Sequence, residues 1–401
     1  MVFQKIPLYL PPPTIGEIGA AYVRLVLGLS PHVPGLLNAY LGPSESLDMV
    51  LAAPPDLLRL RHDAVSVATA VQKAELPHNR RNRLLRRVRA VLWLIRAALG
   101  ERIMFTEQVR MLLDLKPEHI GDKVFQAAHN ALSEALPGEG ALASRWQSWQ
   151  ATYTVPAMTA LPLLLEAVES LKQGLGVFEA KDLTQGDIQV VAVEGDGEPF
   201  YQQGQLSVPQ EATLRVDRLY HLAARLGYGG THTVYSAMAE RYAAGEAECA
   251  VLLNLGPDQV LAQGLSHALL PELDLYHRPI PALLQRAGLP AIEPAALQAI
   301  HAAEDALQWS KANAALLLHG QKLRPRAVRR HLVANALMTR QQADTLLQEV
   351  ADPVRAAHAF APLIGGPLIK TWLAKPHHTL STLLTDPPVP SSMVFEIRVA
   401  N

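Results

Sequence analysis

The sequence predicts a mainly α fold of the α+β class, a large helical domain with one small sheet. Three observations point there. Alanine and leucine dominate the chain, and both favour helix. Apolar residues recur at helical spacing along most of its length. Only the region 187–208 changes texture, becoming valine-rich and partly alternating.

The first helix is signalled by Thr14-Ile15-Gly16-Glu17, a capping box whose hydroxyl and carboxylate satisfy exposed amides at the helix start. Ile15, Ile18, Tyr22, Leu25, Val26 and Leu29 then mark one buried face, and Pro31 and Pro34 end the pattern. Further helical patterns cover Leu57 to Lys73, Arg80 to Leu99, Thr106 to Leu115, Lys123 to Leu136, Ala141 to Thr152 and Leu161 to Gln173. Asp187 to Val193 and Gly204 to Val208 read as extended runs, with the Gly/Asp/Pro-rich stretch Glu194 to Pro199 carrying the reversal of a hairpin or small sheet. From Thr213 the helical pattern resumes and continues to about Leu384. Pro387 to Pro390 reads as extended, and Met393 to Val399 as a last strand. No repeat of fixed period is present. The expected organisation is an N-terminal helical block, 14–182, and a second block, 183–401, holding the β segment and the remaining helices in one compact unit.

Composition narrows the classes. A chain of 401 residues that is 49% apolar and 18% charged can bury a sizeable core and is not disordered across its body. Its formal net charge of -1 gives no general attraction to nucleic acid or anionic lipid. One cysteine, Cys249, excludes an internal disulfide and any multi-cysteine metal site, and its Ala/Val/Leu-rich surroundings mark it as a small buried hydrophobe. The apolar stretch near the N-terminus is cut by Pro7 and ended by Pro11, too short for a secretory signal. The segment Ala90 to Leu99 is interrupted by Arg96, and it is far shorter than the roughly 18 apolar residues of a membrane span. These features lead to the expectation of a cytoplasmic protein without a membrane segment.

Few motifs carry chemistry. There is no HExxH, no GxSxG elbow and no P-loop. The 15 histidines are mostly scattered singly, as surface or hydrogen-bonded core residues usually are. The run Arg80, Arg81, Arg83, Arg86, Arg87, Arg89 spreads around a helix, leaving Leu84, Leu85, Val88 and Leu92 as the buried stripe. A solvated face is the ordinary reading of such a run, because it lacks the aromatic or polar neighbours of a nucleic-acid surface.

The informative stretch runs from His221 through Arg225-Leu-Gly-Tyr-Gly-Gly-Thr-His-Thr-Val-Tyr235. It resembles the active-site helix of a bacterial domain-of-unknown-function family of zinc metallopeptidase-like proteins. That family's motif reads H-E-x-Y-P-G-H-H-T-E, and it is related to the gluzincins and similar to the Taq-type carboxypeptidases. Other segments resemble the family in order and spacing: Tyr22 to Pro43, Leu136 to Arg145, Val155-Pro156, Asn313 to His319, Trp372-Leu373 and Leu383 to Thr385. The resemblance implies a metallopeptidase-like helical domain, with the small β insert preceding the active-site helix.

Carried over by position, the motif has lost its chemistry. Arg225 stands at the first zinc-ligand histidine, Leu226 at the catalytic glutamate, Thr231 at the second histidine, and Gln263 at a later glutamate ligand. Ala359 and Leu363 fall where the family often has tyrosines. Tyr228, Gly230, His232 and Thr233 still match, and with His319 they are the expected residues of a surviving cleft. Positions six apart differ by about 240° on a regular helix, so 225 and 231 converge only if the helix breaks between them, and Gly229-Gly230 permits a break. No catalytic or metal-binding residue is therefore expected, and no cofactor. The implied function is that of a non-catalytic relative of zinc peptidases, whose cleft binds a peptide, small ligand or protein. Two alternatives stand beside it. His221, His232 and His267, with Glu240 or Glu248, form a relocated site for zinc or another metal in a hydrolase. Alternatively the arginine-rich helix 80–89 binds nucleic acid or a partner protein.

Overall fold

A computed structural model describes residues 15–177, 186–269 and 279–399. The fold is mainly helical with a small sheet component. Helix Leu57–Lys73 has the expected limits, with the Asp56 carboxylate accepting the Leu58 and Arg59 amides at its start. The helices His78–Ala98, Phe105–Leu113, Asp122–Ala135, Leu142–Thr152 and Ala157–Val177 follow the remaining apolar patterns. Helix Ile15–Leu29 buries Ile18, Tyr22, Leu25, Val26 and Leu29, while its expected cap residue, Thr14, lies outside the described residues.

The β region departs from the simple hairpin. Strand Gln189–Val193 pairs in parallel with Gln205–Pro209, so the stretch 194–199 does not reverse one strand onto the other. It crosses the end of the central strand to Phe200–Gln202, which lies on the other side and runs antiparallel to it. The tight reversal falls at Gln203 and Gly204, both with positive φ (49° and 86°), as a two-residue hairpin turn requires.

Three more corrections concern the chain's ends and its short strands. Met393–Val399 is not a strand but belongs to helix Pro390–Val399. Val389, Met393 and Ile397 recur every four residues, and that helical spacing places Met393 in the core. Thr213–Arg215, expected to begin a helical block, is a strand paired with Thr154–Pro156. Strand Leu37–Tyr40 pairs with Val251–Leu253, with a shift in register between Leu37 and Ala39 that leaves Asn38 in a bulge. These two strand pairs, and the packing of helix Asp122–Ala135 on Pro294–Leu307, cross the expected boundary at 182/183.

Helix Asp258–Leu269 crosses Phe360–Leu373 with backbones almost in contact. A Cβ on Gly264 would lie 2.5 Å from the carbonyl carbon of Gly365. Ala359 and Leu363 are buried at and beside the start of that second helix. Among the described residues, no helix is long and apolar enough to cross a membrane.

The arginine run is solvated only in part: Arg89 is exposed, but two of its members are in the interior. Arg83 and Arg87 are buried, at 5% and 2% exposure, whereas Leu85 and Leu92 are only half-buried. Arg80 pairs with Glu248 at 2.7 Å, Arg83 with Asp386 at 2.6 Å, Arg86 with Asp114 at 3.0 Å and Arg87 with Asp258 at 2.9 Å. Buried guanidinium groups require such partners, since an uncompensated charge in the interior is strongly destabilising. Four of the six arginines of this helix thus direct their charge to carboxylates of the fold, while Arg89 is exposed.

Candidate functional site

The motif folds as two helices separated by a sharp break. Helix Leu219–Leu226 ends as the Gly227 amide donates to the Ala223 carbonyl at 2.7 Å. Gly229 then adopts φ +96°, a conformation that favours glycine, and its amide donates to the Thr233 hydroxyl at 2.8 Å. Gly230 passes so near the preceding turn that a Cβ there would sit 2.3 Å from the Ala224 carbonyl oxygen and 2.4 Å from that of Arg225. Helix Thr231–Ala243 starts immediately afterwards, and the Thr231 hydroxyl donates to the Arg225 carbonyl at 3.1 Å.

The break brings together residues that a straight helix would hold apart. Arg225, Leu226 and Thr231 line one cleft of about 360 Å³, and Gln263 joins them from helix Asp258–Leu269. Strand Phe200–Gln202 of the small sheet also lines it, together with Asn38, Asn254 and Gln259. All four positions that the resemblance singled out thus share one cavity.

The donor set does not fit zinc. Zinc takes about four nitrogen, sulfur or carboxylate donors. A guanidinium has no lone pair to give and repels a cation, leucine has no polar atom, and threonine and amide oxygens are weak replacements for imidazole and carboxylate. Without a carboxylate at 226, this position also supplies no general base to activate water.

What the cleft presents instead is one cation among neutral amides. Arg225 is its only charged lining residue among those described. No hydrogen bond or ion pair among the described residues engages its guanidinium. Burial pushes the Arg225 pKa down, partly offset by the field of Glu198. The amides are tied into short chains. Asn38 Nδ2 donates to the Asn254 side-chain oxygen and to the Tyr201 carbonyl, both at 2.9 Å, while Asn38 Oδ1 is buried without a partner. Asn254 Nδ2 reaches the Gly35 carbonyl at 3.0 Å, and Gln263 Nε2 donates to Gln259 Oε1 at 3.1 Å.

The expected cleft residues divide differently. Tyr228, Gly230 and Thr233 do not line this cavity but brace the break; the Tyr228 hydroxyl donates to the Gly186 carbonyl at 3.0 Å. His232 lines a second cleft, of about 530 Å³, with Gln189, Gln203, Tyr235 and Glu240. Its Nε2 donates to the Gly186 carbonyl at 3.0 Å, so Nδ1 is left to accept the Tyr201 hydroxyl at 2.9 Å. Burial lowers the pKa of this ring and keeps it neutral. His319 lies elsewhere, packed on Phe105 at 5.2 Å between ring centroids and donating to the Val350 carbonyl at 2.7 Å.

The residues of the relocated-metal alternative fall in three places: His221 with His267, His232 with Glu240 along the second cleft, and Glu248 on Arg80. His221 and His267 pack edge to face at 5.1 Å; burial lowers both pKa values, His267 to about 4. The field of Arg218 and Arg225 acts in the same direction on both rings. His232 has both ring nitrogens engaged, Glu240 lines the second cleft, and Glu248 is held by Arg80. Among the described residues, no group of three or more His, Cys, Asp or Glu is gathered as a metal site.

Asn38, Tyr201, Asn254 and Gln259 were not singled out by the sequence. Two of them carry a readable signal: Asn38 interrupts an apolar strand, Leu36-Leu37-Asn38-Ala39, and Asn254 follows Val251-Leu-Leu253 directly. Such polar residues next to buried runs need a partner, and here the two find each other.

No protein-family model matches the sequence, and no curated protein matches it either. One solved structure to which the chain is similar is that of "the putative lipoprotein from Colwellia psychrerythraea", at 10% identity over 89% of this chain and 69% of that one, with a TM-score of 0.48. A likeness at that level bears on neither function nor ancestry.

Proposed function

We propose that the protein is a non-catalytic, zinc-peptidase-like scaffold whose cleft between the broken motif helix and the small sheet binds a ligand. The observation that carries this reading is the convergence of Arg225, Leu226, Thr231 and Gln263 on one cavity, four positions distant in sequence or orientation and all unsuited to zinc. The cavity falls within the usual size range of small-molecule sites, roughly 300–1,000 Å³. It mixes an apolar wall, including Leu226 and Phe200, with polar groups able to fix a ligand's orientation.

Two measurements test the reading together. Short peptides incubated with the protein and zinc are expected to remain uncleaved, and a screen of small peptides and metabolite-like acids by thermal shift is expected to give stabilising ligands. Cleavage that disappears on changing Leu226 or Gln263, or ligand effects untouched by substitutions around the cleft, would overturn it.

A further inference from the structure

The chemistry of the ligand can be taken one step further, resting on the reading of this cleft as a binding site. A guanidinium that lines a cavity, partly buried and with no protein partner, is costly to hold there. Other interior arginines of the fold, Arg80, Arg83 and Arg87, are each matched by a carboxylate. Arg225 is the exception, and it faces the cleft.

We propose that Arg225 anchors the carboxylate of the ligand, and that the amides of Asn254, Gln259 and Gln263 surround an uncharged polar or apolar body attached to it. The planar guanidinium fork matches a carboxylate with two parallel hydrogen bonds. Neutral amides offer both donors and acceptors without adding charge. One cation suits a monoanion; a phosphate dianion would call for further positive charge, and none of the other described lining residues supplies it. Phe200, 44% exposed at the cleft, offers an apolar surface for the attached group to cover. Glu198 sits on the stretch leading into that strand, and its field opposes an incoming anion.

The carboxylate can belong to a free small acid or to a peptide C-terminus, and calorimetric titration separates these sources. The probes are N-acetyl-alanyl-leucine, its C-terminal amide, isovalerate and inorganic phosphate. The acid dipeptide is expected to bind at least about tenfold more tightly than its amide, the difference expected of a hydrogen-bonded charge pair. Arg225→Gln and Arg225→Met are expected to lose that preference while melting no lower than the parent, because the side chain has no internal partner to lose. Glu198→Gln is expected to tighten the acid a few-fold. Isovalerate binding as tightly as the acid dipeptide assigns the site to free acids; tighter dipeptide binding assigns it to peptide termini. Equal binding of acid and amide, unchanged acid binding by both Arg225 variants, tighter binding of phosphate, or no binding of any acid would overturn the proposal. The first two would leave the cleft itself standing as a site. Cleavage of the dipeptide would instead count against the non-catalytic reading.

Discussion

The hydroxyl of Thr231 donates to the carbonyl oxygen of Arg225 at 3.1 Å, tying the first residue of one motif helix back to the last turn of the other. That bond satisfies a carbonyl freed where the helix breaks and fixes the angle at which the two segments meet the cleft. Thr231→Ala is expected to cost about 1 kcal/mol, the usual worth of such a bond, while Thr231→Ser retains most of it. Urea unfolding of the two variants checks this; equal midpoints would show that the bond does not brace the break.

The pair between Arg80 and Glu248 is the next test. Glu248 is 2% exposed and holds Arg80 through two oxygens. Removing one partner of a buried pair typically costs about 3–5 kcal/mol, whereas replacing both with apolar groups of similar size recovers much of the loss. Glu248→Leu should therefore lower the unfolding midpoint strongly, and Arg80→Met added to it should raise the midpoint again.

Gly264 and Gly365 let two helices cross with their backbones in near contact. Gly264→Ala forces a methyl group against backbone, which cannot rotate away, and is expected to cost about 1–3 kcal/mol or more as overpacking. Because Gln263 is adjacent, the same change should also weaken ligand binding at the cleft, which titration of the variant would reveal.

Acid sensitivity follows from the buried histidines. Burial lowers the pKa values of His267 and His358 to about 4, below the roughly 6.5 of an unfolded chain. Above pH ~6.5 both states are neutral and the contribution is fully present. As pH falls from there towards 4 the unfolded state binds protons first, so stability is lost across that window. Chemical denaturation at pH 7.5 and pH 5 should show the drop, on the order of 2 kcal/mol for each ring. His358→Phe should flatten the profile; an unchanged slope would assign the effect to other groups.

How much of this was legible depended on where the stabilising partners lie. Helices such as Leu57–Lys73 carry their own cap and apolar stripe, so local sequence contains the information. The three-residue strand Val251–Leu253 exists because Leu37–Tyr40 lies beside it, more than 200 residues away in the chain, and no local pattern reports that. The same applies to Arg83 and Arg87, which looked solvated because Asp386 and Asp258 are remote in sequence. At the site, the glycine break was readable from spacing, whereas positions 225, 226, 231 and 263 were implied by the resemblance alone. The rest of the lining was not legible, since Asn38 and Asn254 enter the cleft through a register shift and a strand end.

The central claim is that the cleft has the framework of a zinc site without its donors, and calorimetric titration with zinc tests it most directly. The wild-type chain should take up no stoichiometric zinc. The variant combining Arg225→His, Leu226→Glu, Thr231→His and Gln263→Glu should gain one zinc per chain, since the break already points these positions at one cavity. Stoichiometric zinc in the wild type that is lost on substituting Thr231 and Gln263, or a folded quadruple variant with no zinc affinity, would contradict the account.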